Sequence, residues 1–305
     1  MIRYLTNADI DRVKWDNVIS TSCYETVYGY SWYLDLVAEH WDALVEDDYA
    51  AVMPLPWNRK YSFRYIYQPV NCQQLGIFTA DPPGRERIRA FLDNIPGSFS
   101  LADMCLNSSN MEVPHGLKFS TYRNYIIYLN DAYEKLSNRY STNAKRNLAK
   151  ATGIDLRTAG LTTDEFIGLK SSGEKGRYDR AKYGRMKKII ESLVREQHGE
   201  VQGTWVNGEL CAAVFWVYSS TRIIYLLSVS SELGKENRAM FLMVDALIRR
   251  HQESNKILDF EGSNIPTIAR FFEGFGANPE EYYRLTLHRS VLLKLLAGKR
   301  LKTKD

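Results

Sequence analysis

Two runs of alternating polar and apolar residues, 200–206 and 209–218, flank Asn207-Gly208. Period-two alternation marks a half-buried strand, and Asn-Gly supplies both positive-φ positions of a tight hairpin turn, so the pattern predicts an antiparallel pair. A third strand follows at 222–230, after Ser219-Ser220-Thr221. Ala239, Leu242, Met243, Ala246 and Leu247 then recur at helical spacing, with Arg249 and Arg250 where cations complement the helix dipole. Residues 257–260 read as a buried strand, 265–273 as a helix and 282–288 as a last alternating strand. The predicted order is strand, strand, strand, helix, strand, helix, strand.

The first half repeats this order more faintly. Helices are expected at 9–19, 31–38 and 85–92, and strands at 43–45, 49–53, 73–78, 99–105 and 125–129. A helix within 132–151, capped by Ser141 or Asn143 and closed at Gly153, separates the halves. The expected domains are therefore 1–131 and 132–305, a duplication read from element order alone.

The 305 residues suffice for two domains with cores of their own. No apolar run approaches the roughly 20 residues of a membrane helix, and Met1-Ile2-Arg3-Tyr4 lacks the core of a signal peptide, so a cytoplasmic protein with no membrane span is expected. Cys23, Cys72, Cys105 and Cys211 are far apart and read as buried free thiols; five histidines show no ligand spacing, so no metal is expected. Net charge is +4, too small for a dedicated nucleic-acid binder. The positive charge nevertheless concentrates in Lys170, Lys175, Arg177, Arg180, Lys182, Arg185, Lys187, Lys188 and Arg195, and again in the tail at Lys294, Lys299, Arg300, Lys302 and Lys304. Such runs are more often solvated faces than phosphate sites.

LDFEGSNIPTIARFFEGFGA, the upstream RNLAKATGIDLRTA, and PLPW with QPVNCQQLGIF in the first half together resemble the FemABX-like branch of the GNAT superfamily, the acyl-CoA N-acyltransferase fold. The resemblance implies an α/β (α+β) fold of tandem GNAT-like domains, each a mixed sheet flanked by helices. It also implies transfer of an acyl or aminoacyl group to an amine, with acyl-CoA as co-substrate and a small-molecule or peptide amine as acceptor. A charged tRNA is the less favoured donor, because no heptad run between residues 161 and 200 supplies the coiled-coil arm of cell-wall FemABX enzymes. A noncatalytic protein that kept the groove is the rival from another class.

Direct attack by an amine needs a base, donors for the developing oxyanion and a proton for the leaving group. Glu261 or Asp259, where the strand 257–260 gives out, is the candidate base; capping the next helix or pairing with an arginine is the competing role of each. The resemblance places the acyl carbonyl beside 225–229, so the backbone of Leu227, Ser228 and Val229 is the expected oxyanion donor. The resemblance assigns phosphate cradling to 231–239, where Gly234 is the one glycine, Lys235 and Arg238 are the cations and Glu232 and Glu236 would repel phosphate, with Asn264 a further cofactor-binding candidate. Phe272 occupies the place of a GNAT tyrosine, and the FemABX Phe-Lys pair reads Phe271-Phe272. The leaving-group proton is then sought at Tyr282 or Tyr283, or from water. Lys145 and Arg146 are candidates for an anionic group, against an ordinary solvated face with Lys150. In the first half Trp32, Tyr67, Tyr30, Tyr65 and Trp57 are expected to line the acceptor groove beside Gln73 and Gln74, one of the pair satisfied internally and the other turned to ligand.

Overall fold

The computed structural model describes residues 1–60, 62–152, 156–173, 179–262 and 264–288. Gly153, Lys175, Arg177, Ser263 and the basic tail from Lys294 lie outside these. The chain forms two compact units: residues 1–122 with the chain from Glu281 on, and Arg123–Glu280.

The first unit contains β1 (Ile2–Leu5), α1 (Arg12–Thr21), α2 (Ser31–Val37), β2 (His40–Glu46), β3 (Ala51–Lys60), β4 (Phe63–Ile66), α3 (Arg85–Asp93) and β5 (Phe99–Cys105). β1 to β4 pair antiparallel in sequence order, and the crossover through α3 brings β5 parallel to β4. Trp41 to Val45 and Ala51 to Pro56 are buried without a break, as strands covered on both faces must be. β3 carries Pro54 and Pro56 because its pairing with β4 reaches back only to Trp57, opposite Ile66. Val52 exchanges both its backbone bonds with Phe78 on the side away from β2, so the prolines, two and four residues further on, turn their missing N–H to that side.

In the second unit α4 (Tyr133–Asn138), α5 (Thr142–Thr152), β7 (Leu156–Gly160), α6 (Thr163–Ser172) and α7 (Arg180–Arg195) precede β8 (Gly199–Val206), β9 (Glu209–Tyr218) and β10 (Arg222–Ser230). The short α8 (Glu232–Glu236), α9 (Ala239–Arg250), β11 (Ile257–Asp259) and α10 (Pro266–Gly274) complete it. The topology repeats the first unit: β7 to β10 are antiparallel neighbours, and the crossover through α9 lays β11 parallel to β10. Asn207 and Gly208 have φ of 51° and 82°, the left-handed pair that the hairpin turn demands. Leu258 and Phe260 project into a core shared with Trp216, Met243, Leu247, Phe272 and Phe275. On the other sheet face, α6 packs on β8, β9 and β10, and α7 on β8.

In each unit the strand that follows the parallel pair comes from the opposite half of the sequence. β6 (Lys118–Tyr128) follows β5 in the chain but pairs its far end with β11, while β12 (Asn278–His288) follows α10 but pairs with β5. The units therefore divide inside β6 and β12, whereas the sequence boundary lay at Asp131 with the whole C-terminus in the second domain.

Other expectations also change. Residues 73–78 form no strand: this segment makes two isolated bridges, Val52 to Phe78 and Leu75 to Leu106, and the buried Asn110 side chain satisfies Ile77 at both its N–H (2.8 Å) and its carbonyl (3.0 Å). Of the four cysteines Cys23 is exposed, two residues after the end of α1. No helix among the described residues is long and apolar enough to cross a membrane.

Candidate active site

β10 and β11 pair over only three residues, Arg222 to Ile224 against Ile257 to Asp259. β11 then ends, while β10 runs on to Ser230 paired with β9 alone among the described strands. The register against β9 slips between Tyr225 and Leu227, so Leu226 is the extra residue of a β-bulge. A bulge leaves its residue outside the ladder and re-aims the backbone after it. The edge of Leu227, Ser228 and Val229 that faces away from β9 thus borders a wedge opened by the departure of β11.

Phe260 leads out of β11 by donating its N–H to the Tyr125 carbonyl (3.0 Å), and the chain then turns sharply through Glu261 and Gly262, at φ of 56° and 58°. Gly262 has no substitute: a Cβ there would lie 2.2 Å from the Arg123 carbonyl oxygen. Glu261 is half-buried on this turn and donates its N–H to Asp259 Oδ1 (2.9 Å).

Asp259 itself is closed off. Its side chain is 3% exposed and takes a 2.8 Å ion pair from Arg222 Nη1; the Arg222 guanidinium, 5% exposed, also lies 3.7 Å from Glu280. Of the two candidate bases, Asp259 has become the anchor of the turn. The competing role, a partner arginine, is the one the geometry gives it.

Phe272 is stacked on Phe260 (4.5 Å between centroids) within an aromatic cluster that includes Tyr225, Phe241, Phe271 and Phe275. Tyr225 brings a hydroxyl to this cluster from the strand β10 and not from the helix, where the sequence pattern points. Its hydroxyl donates to Met240 Sδ at 3.0 Å, a weak acceptor, and burial raises its pKa while a hydrogen bond with Ser228 lowers it in part. Tyr283 belongs to the first unit, where its ring meets Phe119 edge-on and its carbonyl accepts from the Leu106 N–H (2.7 Å); Tyr282 stacks on Tyr122.

Gly234 is explained by packing. A Cβ there would come within 2.2 Å of the Cys211 carbonyl oxygen, and its N–H already donates to the Ser231 hydroxyl that caps α8. Lys235 pairs with Glu232 at 2.6 Å. Arg238, at φ 60°, occupies the N-cap of α9 with no side chain capping the helix; its Nη1 holds the Lys235 carbonyl (2.6 Å) and its buried Nε finds no hydrogen-bond partner among the described residues. Asn264 is exposed just ahead of α10. Of the basic run, Lys170 comes to β10, its Nζ donating to the Ser228 carbonyl (2.9 Å). Lys182, Arg185 and Lys188 lie on the solvent side of α7, opposite Tyr183, Met186 and Ile190.

Lys145 and Arg146 are exposed on α5 and make local bonds, to the Asn138 carbonyl (3.2 Å) and Asn143 Oδ1 (2.9 Å). Ser141 is the cap, accepting from the Ala144 N–H (3.1 Å). In the first unit, fully buried Gln74 donates to Gln73 Oε1 (2.9 Å) and accepts from the Ser108 N–H (3.0 Å), so it is the internally satisfied member of the pair. Trp32 stacks on Tyr30, and Tyr65 and Tyr67 are neighbours. Tyr67 Oη accepts from the Glu39 N–H at 3.4 Å.

No protein-family model matches the sequence, and no curated protein matches it. Solved structures do match over nearly the full length. FemX superposes with a TM-score of 0.67 at 10% identity, over 93% of this chain and 96% of FemX. A tandem GNAT protein from the clavulanic acid biosynthesis pathway gives 0.59 at 13% identity, over 95% and 99%. A conserved protein of unknown function from Bacteroides thetaiotaomicron gives 0.57 at 13%, over 94% and 100%. With the repeated strand order and the splayed β10–β11 pair, these likenesses show that the chain has the tandem GNAT-like α/β fold found in FemX.

Proposed function

We propose that the protein is a transferase that moves an acyl or aminoacyl group from a CoA-type donor to a small-molecule or peptide amine by direct attack. The observation that supports this reading is at β10, where a bulged strand runs on past the end of its parallel neighbour β11. Backbone donors fixed by a sheet need no reorganisation as charge develops on the carbonyl oxygen, which is the requirement of an oxyanion site. The resemblance to FemX and to the tandem GNAT protein supports the same assignment at the level of fold.

In this reading the acyl carbonyl lies along Leu227 to Val229. The amine nitrogen attacks the carbonyl carbon, Glu261 takes the proton the amine loses, and the carbon–sulfur or carbon–oxygen bond to the donor breaks as the tetrahedral species collapses. Tyr225, kept protonated by burial and hydrogen-bonded to Met240 Sδ and Ser228, donates to the departing atom and fills the office that Phe272 cannot. The donor phosphates would meet the uncapped N-terminus of α9 and the unpaired Nε of Arg238, both suited to an anion, while Glu232 and Glu236 favour a cation there. Gly234 and Lys235 are already engaged and contribute less.

Thermal-shift titration with acetyl-CoA, longer acyl-CoAs and charged tRNA tests the donor. Stabilisation by an acyl-CoA, retained in Glu261→Gln while transfer to an amine is lost, is the expected result. Absence of a shift with every donor would contradict the reading and leave a binding protein.

A further inference from the structure

The bulge in β10 decides which of its backbone groups border the wedge. Successive residues of a strand turn their N–H and C=O to opposite edges. Ahead of the bulge both edges are fixed: the Arg222 carbonyl accepts from the Ser219 N–H (2.9 Å) on the β9 side, and the Thr221 carbonyl from the Ile257 N–H (2.8 Å) on the β11 side. Beyond the bulge, the Ser231 N–H donates to the Cys211 carbonyl of β9 (2.9 Å). Counting back by twos, Val229 and Leu227 also face β9, opposite Ala213 and Phe215. The extra residue has therefore exchanged the parity of the strand, so that even positions face β9 before it and odd positions after it. Ser228, between Leu227 and Val229, turns both its N–H and its carbonyl to the edge that β11 has left. Of the three candidate donors, the other two are committed to the ladder.

A side-chain contact marks the same edge independently. Lys170, half-buried near the end of α6, extends its ammonium from the face of the sheet on which α6 packs and donates to the Ser228 carbonyl at 2.9 Å. An open strand edge offers an acceptor beside each donor, and a bare carbonyl there repels an oxygen on which negative charge is building. The ammonium covers that carbonyl and sets a positive charge next to the Ser228 N–H. The bulge also lets the Ser228 side chain hydrogen-bond with Tyr225, because residues three apart in a regular strand lie on opposite faces.

We propose that Lys170 is a positioning residue of the transfer site, acting through Ser228, whose N–H is the oxyanion donor. The inference rests on the transfer reading and deepens it. As the amine adds to the acyl carbonyl carbon, the charge that appears on the carbonyl oxygen meets the Ser228 N–H with the Lys170 ammonium alongside. The electron pair returns to re-form the carbonyl when the bond to the donor breaks, and Lys170 gives up no proton.

Polarisation of the bound carbonyl is read by isotope-edited infrared difference spectroscopy, because drawing electron density onto the oxygen weakens the C=O bond and lowers its stretching frequency. The full chain is titrated with acetyl-CoA and octanoyl-CoA labelled at the thioester carbonyl, with thermal shift recording binding in parallel. On the natural protein the stretch is expected to fall on binding. Lys170→Gln, which keeps a neutral donor, and Lys170→Met should bind with unchanged affinity and lose most of that displacement, while Lys170→Arg, which keeps the charge, retains it. Lys170 is half-buried, so these substitutions leave the core intact. A lysine with a merely structural role would move the thermal midpoint and leave the stretch of the bound carbonyl where it was. A displacement as large in Lys170→Gln and Lys170→Met as in the natural protein overturns the role of Lys170 and leaves the transfer reading standing. Failure of the natural protein to bind either acyl-CoA overturns that reading, and this inference with it.

Discussion

Asp259 and Glu261 stand two positions apart, one sealed and the other half-buried, and the situation of Asp259 comes from one arginine. Arg222 sits two residues before Ile224, the β10 partner of Asp259, and so projects on the same sheet face, where the two charges pair out of water. Breaking a buried pair strands the other charge, at a cost of about 3–5 kcal/mol. Asp259→Asn is accordingly expected to lower the urea midpoint sharply, with any loss of activity following the loss of fold. A variant as stable as the natural protein yet inactive would instead make Asp259 a catalytic group. At this scale the sequence offered both carboxylates and both roles but could not rank them, since Arg222 lies 37 positions away and nothing local couples it to Asp259. Tyr225 escaped for a related reason: its proximity to Phe272 arises from a strand and a helix that meet only in the folded sheet.

Elements with strong periodicity were legible. The strands expected at 209–218 and 222–230 match β9 and β10 at both ends, because alternation there is continuous and turn residues bound it. β1, β4 and β7 were missed, being four or five residues long. The segment 73–78 reads as a strand because its apolar residues are buried, but asparagine side chains satisfy the Ile77 backbone where a neighbouring strand would. The glycine after β10 carries an element-scale prediction. Gly234 lets α8 settle on the Cys211 carbonyl, so Gly234→Ala overpacks this contact and should destabilise by about 1–3 kcal/mol in chemical denaturation. Were Gly234 a phosphate ligand alone, the variant would keep its stability and lose donor affinity.

For the molecule as a whole, duplication was visible in the order of elements and the exchange of strands was not. Residues 125–129 announce a strand, yet pairing partners are chosen by surfaces far apart in sequence, so β6 with β11 and β12 with β5 could not be read from periodicity. This exchange also moves Tyr283 out of the unit that holds Glu261. What remains central is the wedge beside β10, and amide hydrogen exchange at residue resolution tests it directly. On addition of a stabilising acyl-CoA, the amides between Leu227 and Val229 that point away from β9 should gain protection, along with Ala239 and Met240 at the start of α9. Protection that spares these amides, or that none of the acyl donors produces, would contradict the account.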